Sequence, residues 1–91
     1  MITSTGNISE SYRTIDTVFA FCSEEEGCSG LQVLPVYQKA VQQLKEMGGQ
    51  VGGNAVINIG FSNRMAISKS CGSTSRVFEV IAWGTVVEIT G

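Results

Sequence analysis

Histidine is absent from this chain of 91 residues. That removes Ser-His and Cys-His nucleophile pairs and every His-ligated zinc site. Charge is scarce too, at 15% of residues, against a typical ~25%. A domain this small buries only about 60% of the surface its unfolded chain exposes. It needs polar cover, and it has little, so part of its surface is expected to lie out of water. The net charge is −2, and Arg13, Lys39, Lys45, Arg64, Lys69 and Arg76 are scattered. No basic face is expected for neutralising phosphates, which argues against nucleic acid as a partner.

Long apolar runs are missing. Val18 to Cys22 is the longest unbroken run of apolar residues, far too short to span a bilayer. Met1-Ile-Thr-Ser-Thr5 has neither a positive n-region nor an apolar h-region, so no signal peptide is visible. A cytoplasmic protein away from membranes is the expectation. Three cysteines is an odd number for a disulfide framework. There is one proline, Pro35.

What is present is periodicity within a single domain, residues 1–91. Residues 1–11 are mostly Ser, Thr, Gly and Asn and read as a flexible or edge-strand lead-in. Tyr12 to Cys22 predicts a strand, with Ile15, Phe19 and Phe21 on one face and Val18, Ala20 and Cys22 on the other. Ser23 to Gly30, with three adjacent glutamates and two glycines, predicts a solvated loop. Pro35 suits the first position of a helix. From there Val36, Tyr37, Ala40, Val41, Leu44, Met47 and Val51 form one apolar stripe. The helix either ends at Gly48-Gly49 or runs on to Val51 and stops at Gly52. The stripe favours the second, and two interior glycines then suggest close approach of another backbone.

Ala55, Ile57, Ile59 and Phe61 predict one apolar face of a second strand, which Arg64 to Ser70 extends irregularly. Ser70 to Thr74 is a turn. Ser75 to Ile89 is the longest strand and is apolar on both faces, as a central strand should be. The fold class is α+β, a split β-α-β-β unit. Its expected sheet has three strands, mainly antiparallel, in the order 1-3-2, with one helix on one face. The helix should cover Phe78, Val80, Ala82, Gly84 and Val86. Ile81, Trp83, Val87 and Ile89 then lie on a face that nothing in the chain covers. Apolar patches of that size mark interfaces, so self-association follows as an expectation.

Three segments carry a family resemblance. Tyr37-Gln-Lys resembles the Tyr-Glu-Lys of the YbjQ-like proteins, a family often labelled heavy-metal-binding. Val51-Gly-Gly-Asn-Ala-Val-Ile57 is similar to its Leu-Gly-Ala-Asp-Ala-Val-Val, and Trp83-Gly-Thr-Val-Val87 to its Ser-Gly-Thr-Ala-Val. The resemblance covers roughly residues 37 to 90. It implies a dodecin-subunit-like β-α-β-β fold and a homo-oligomer, a pentamer. The family's function is not established. Its longer helical insert before the main helix is replaced here by Glu24 to Gly30.

Candidate chemistry is thin. Gly48 to Gly53 follow a helix and precede a strand, the reverse of a phosphate cradle. Cys22 and Cys28 flank the glutamates, and Cys71 sits in the last turn. Thiolates with carboxylates can hold a soft metal, which makes Cys22 and Cys28 the candidate ligands, though their Cys-x5-Cys spacing favours ordinary thiols. Trp83 could stack on a planar ligand such as a flavin, given the dodecin-like fold. An interface or core anchor is the favoured role. The sequence therefore predicts a small oligomeric binding or scaffold domain without a cofactor and without catalysis. The alternative is a metal- or small-ligand-binding protein whose site forms between subunits.

Overall fold

Alternating apolar residues dominate the chain, and they build a sheet that is long for its width. The computed structural model describes residues 1–26, 32–70 and 73–91. Its elements are β1 (Ile2–Thr3), β2 (Tyr12–Glu25), α1 (Leu34–Gln50), β3 (Ala55–Ser70) and β4 (Ser73–Ile89). They form one mixed sheet in the order β1-β3-β4-β2. β4 pairs antiparallel with both β2 and β3, and β1 pairs parallel with β3.

Four strands overturn the expected three-stranded sheet and its 1-3-2 order. The added strand, β1, meets β3 only at Ala55 and Val56. Two residues leave no period-two signal in a sequence, so a polar lead-in conceals it. β2 also runs past Cys22 to Glu25, where a loop was expected from Ser23, and residues 27–30 of that expected loop lie outside the described residues. Glu24 and Glu25 lie opposite Phe78 and Val77, and Arg76 pairs with Glu26. Pairing with β4 and an ion pair keep the acidic run in the ladder.

The helix seals one face. Val36, Ala40, Leu44 and Gly48 are its buried residues, one per turn. They pack with Val18, Ala20 and Cys22 of β2, Val56 and Ile59 of β3, and Phe78, Val80, Ala82 and Val86 of β4. Tyr37 closes one flank. Its ring meets Phe61 edge-on at 5.2 Å, and its hydroxyl accepts a 2.7 Å hydrogen bond from the Asn63 side chain.

The helix runs through Gly48 and Gly49 and ends at Gln50, with Val51 as its C-cap. Gly52 follows at φ 90°, a left-handed backbone that glycine adopts without strain. The Gly52 and Gly53 amides donate to the Gly49 and Gly48 carbonyls at 3.2 and 2.9 Å, the paired bonds of a Schellman ending. The neighbours that require Gly48 are side chains, not the backbone expected. A Cβ there would sit 3.1 Å from Val56 and 3.5 Å from both Met1 and Val86. The Asn54 side chain then accepts the Ile89 amide at 2.7 Å, tying the junction to β4.

β3 does not keep one apolar face. Its register to β4 shifts between Ile57 and Gly60, and Asn58 there has φ 52°. Asn58 and Ile59 together oppose Gly84, a bulge that reverses the alternation. Upstream, Ala55 and Ile57 turn to the far face and pack with Val87 beside Ile8, Tyr12 and Ile89. Downstream, Ile59 and Phe61 turn to the helix. The Asn58 and Ile59 amides donate to the Gly6 and Ser4 carbonyls, each at 3.0 Å. The lead-in is thereby held against the bulge. A left-handed backbone suits Asn or Gly far better than a β-branched residue. Asn58→Gly should leave stability within about 1 kcal/mol, and Asn58→Val should lose about 1–3 kcal/mol. Urea unfolding midpoints of the two variants check this. Equal losses would show that the bulge does not depend on residue 58.

Candidate functional site

The far face of the sheet splits into two regions because the lead-in covers only one end. Ala55, Ile57 and Val87 are buried beneath Ile8 and Tyr12. This corrects the expectation that Val87 and Ile89 lie uncovered. The middle stays open. There Trp83 stands between Phe19 and Gly60, and Ile81 between Phe21 and Ser62. Phe19 is 64% exposed, Phe21 54%, Ile81 47% and Trp83 37%. Among the described residues, no element covers them.

Phe19 and Phe21 belong to this patch through alternation alone. Val18, Ala20 and Cys22 are small and fill the gap beneath the helix, so the large rings point the other way. The size difference between the two faces of β2 was legible in the sequence, but it says nothing of which face the helix takes. Gly60 was unreadable as part of the site. A Cβ on it would lie 2.5 Å from the indole of Trp83. The missing side chain lets the indole lie across β3, which lowers the exposure of Trp83 below that of its neighbours. Trp83 therefore stands in the open patch, with one side of its ring against the backbone.

Charge borders the patch at one end. Arg64 and Glu79 form an ion pair across β3 and β4. With Phe21, Ser62, Asn63 and Ile81 they line a hollow of about 80 Å³. That volume suits a single apolar group rather than a cofactor ring. Further along, the Arg76 guanidinium hydrogen-bonds Glu26 and holds its carboxyl below the usual range. The arginine of each pair is largely exposed, so water screens the attraction and limits what it adds to stability.

Of the metal candidates Cys22 and Cys28, the structure describes Cys22. Cys22 is buried on the helix side of β2, facing away from the open patch. Burial pushes its thiol up, and Lys39 pulls in the other direction. A metal ligand needs the thiolate, which this setting disfavours. Cys28 and Cys71 lie outside the described residues. Among the described residues, no three His, Cys, Asp or Glu side chains gather as a metal group. Among the described residues, no helix is long and apolar enough to cross a membrane.

The fold has a solved counterpart. A crystal structure of a protein of unknown function from Pediococcus pentosaceus, which belongs to the DUF74 family, matches with a TM-score of 0.79. The match covers 99% of this chain and 98% of that chain at 21% sequence identity. DUF74 is the YbjQ-like family. At that identity the likeness is one of fold. No family model matches the chain, and no curated protein does.

The buried thiol makes a pH prediction. A thiol whose pKa is raised on folding favours the folded state below its ordinary pKa. That contribution is lost as pH rises past the free-thiol value towards the folded one. At mildly alkaline pH, iodoacetamide should label Cys22 at least about tenfold more slowly in the folded chain than in urea, because only the thiolate reacts. Peptide mass spectrometry separates Cys22 from Cys28 and Cys71. Equal folded and unfolded rates at Cys22 would contradict its burial.

Proposed function

We propose that this chain is a YbjQ-like subunit of a cytoplasmic homo-oligomer, acting as a binding or scaffold module rather than as an enzyme. Copies meet at the open middle of the sheet. One observation carries this reading: Phe19, Phe21, Ile81 and Trp83 are contiguous and a third to two-thirds exposed. Burying a large apolar side chain contributes ~1.5–3 kcal/mol. Leaving four in water forgoes several kcal/mol, in a class of domains stable by only about 5–15 kcal/mol. Association recovers that loss. The whole-length fold likeness to a DUF74 protein supports the family assignment. Five subunits is the number that the family resemblance implies.

Binding without catalysis fits what the chain offers. It has no histidine, and among the described residues the groups moved from their ordinary pKa are a core thiol and a surface ion pair. A second reading, a small-ligand protein with its site between subunits, draws on the hollow beside Arg64 and Glu79. A second copy could close it.

Light scattering behind a sizing column tests the main reading. The wild-type chain should elute as an oligomer at micromolar concentration. The double variant Phe19→Ser, Trp83→Ser should elute as a folded species of fewer subunits than the wild type. A wild-type monomer would sink the proposal. So would a double variant that assembles like the wild type. Elemental and organic analysis of the same peak separates the second reading, which requires a retained ligand.

A further inference from the structure

The sheet ends on β2, and the outer side of that strand is unpaired among the described residues. Edge strands are usually blunted by charge, proline or a bulge, because free N–H and C=O groups recruit other strands. β2 carries such devices only at its ends. A register shift lies between Thr14 and Asp16, and Glu24 and Glu25 close the other end. Thr17 to Ser23 between them has no charge, proline or glycine.

That unguarded stretch reads Thr-Val-Phe-Ala-Phe-Cys-Ser. About Ala20 it is a chemical palindrome: Phe19 mirrors Phe21, Val18 mirrors Cys22, and Thr17 mirrors Ser23. In an antiparallel pair of identical strands centred on Ala20, each residue faces its chemical twin. The backbone agrees with that register. The Glu26 amide donates to the Arg76 carbonyl opposite it, so even-numbered residues of β2 turn their polar backbone groups to β4. From Asp16 to Glu25 the register is unbroken. Odd-numbered residues therefore present theirs to the free edge. Pairing Phe19 with Phe21 of the partner subunit, and Thr17 with Ser23 of the partner subunit, joins odd to odd.

We propose that two copies of this chain pair through Thr17–Ser23 of β2, antiparallel about a two-fold axis at Ala20. This rests on the oligomer reading above and names its contact. The pairing continues the sheet from one copy into the next with roughly eight backbone hydrogen bonds. It also merges the two open patches. Trp83 and Phe19 of one copy run on to Phe21 of the partner subunit, and Ile81 and Phe21 run on to Phe19 of the partner subunit. The ladder stops where Asp16 would meet Glu24 of the partner subunit, since like charges directly opposite are destabilising. Such a contact closes on itself at two copies. If a five-membered ring forms as well, it joins two rings into a particle of ten.

Native mass spectrometry of the full chain tests this with two variants. Ser23→Pro removes an outward amide and leaves the bonds to β4 and the aromatic patch intact. Asp16→Lys turns both flanking repulsions into attractions. The wild type should have an even number of subunits. Ser23→Pro should halve that number, and Asp16→Lys should make the even particle about three- to tenfold more resistant to dilution. The strengthening variant keeps the test sound if the proline variant fails to fold. A wild-type monomer would overturn the oligomer reading itself. An odd-numbered oligomer, or an even one indifferent to both variants, would overturn the strand pairing and leave the oligomer reading standing.

Discussion

Close contact between the helix and the sheet, through positions that lack a side chain, sets the rest of this structure. A Cβ on Gly53 would sit 2.2 Å from Val86, and one on Gly84 2.5 Å from Val56. Gly48 lets the last turn of α1 lie against Val56 and Val86, Gly53 brings the junction close to Val86, and Gly84 makes room in β4 for Val56. Leu44, Val56, Val80 and Val86 are buried as a result. The price is that a single helix, held this tightly to one face, leaves the other to whatever else the chain has.

The chain has little else. Its lead-in covers one end of the far face, and the bulge at Asn58 makes that possible. By reversing the alternation, the bulge sends Ala55 and Ile57 to meet Ile8 and Val87, and sends Ile59 and Phe61 to the helix. One left-handed residue thus divides β3 between two small cores. The middle of the far face belongs to neither, and there the largest apolar side chains of β2 and β4 remain exposed.

Much of this was legible in the residues. The 3.6-residue stripe marked the helix, two apolar faces marked β4 as central, and the glycines after Gln50 marked the helix end. Three features were hidden for physical reasons. β1 is too short for a period to show. The bulge depends on tertiary hydrogen bonds from the Asn58 and Ile59 amides to the lead-in, and nothing local announces them. Gly60 matters because Trp83 lies across it, a relation between strands that only the register reveals. On the candidate site, Trp83 and Ile81 were readable as open-face residues. Phe19 and Phe21 were readable as a pair but not as part of the patch, because the helix could have taken either face of β2. Cys22 was readable as a thiol near acids, but not as a core residue beneath the helix.

In the proposed oligomer, one edge of the sheet and one apolar face work together as the place where copies meet. Residue-resolved amide exchange, run at assembling and at dilute concentrations, tests that most directly. The amides of Thr17, Phe19, Phe21 and Ser23 should be protected at high concentration and exchange rapidly on dilution, while those of Val18, Ala20 and Cys22 stay protected throughout. Rapid exchange of the first set at every concentration would mean that the edge of β2 never pairs, and would contradict the account.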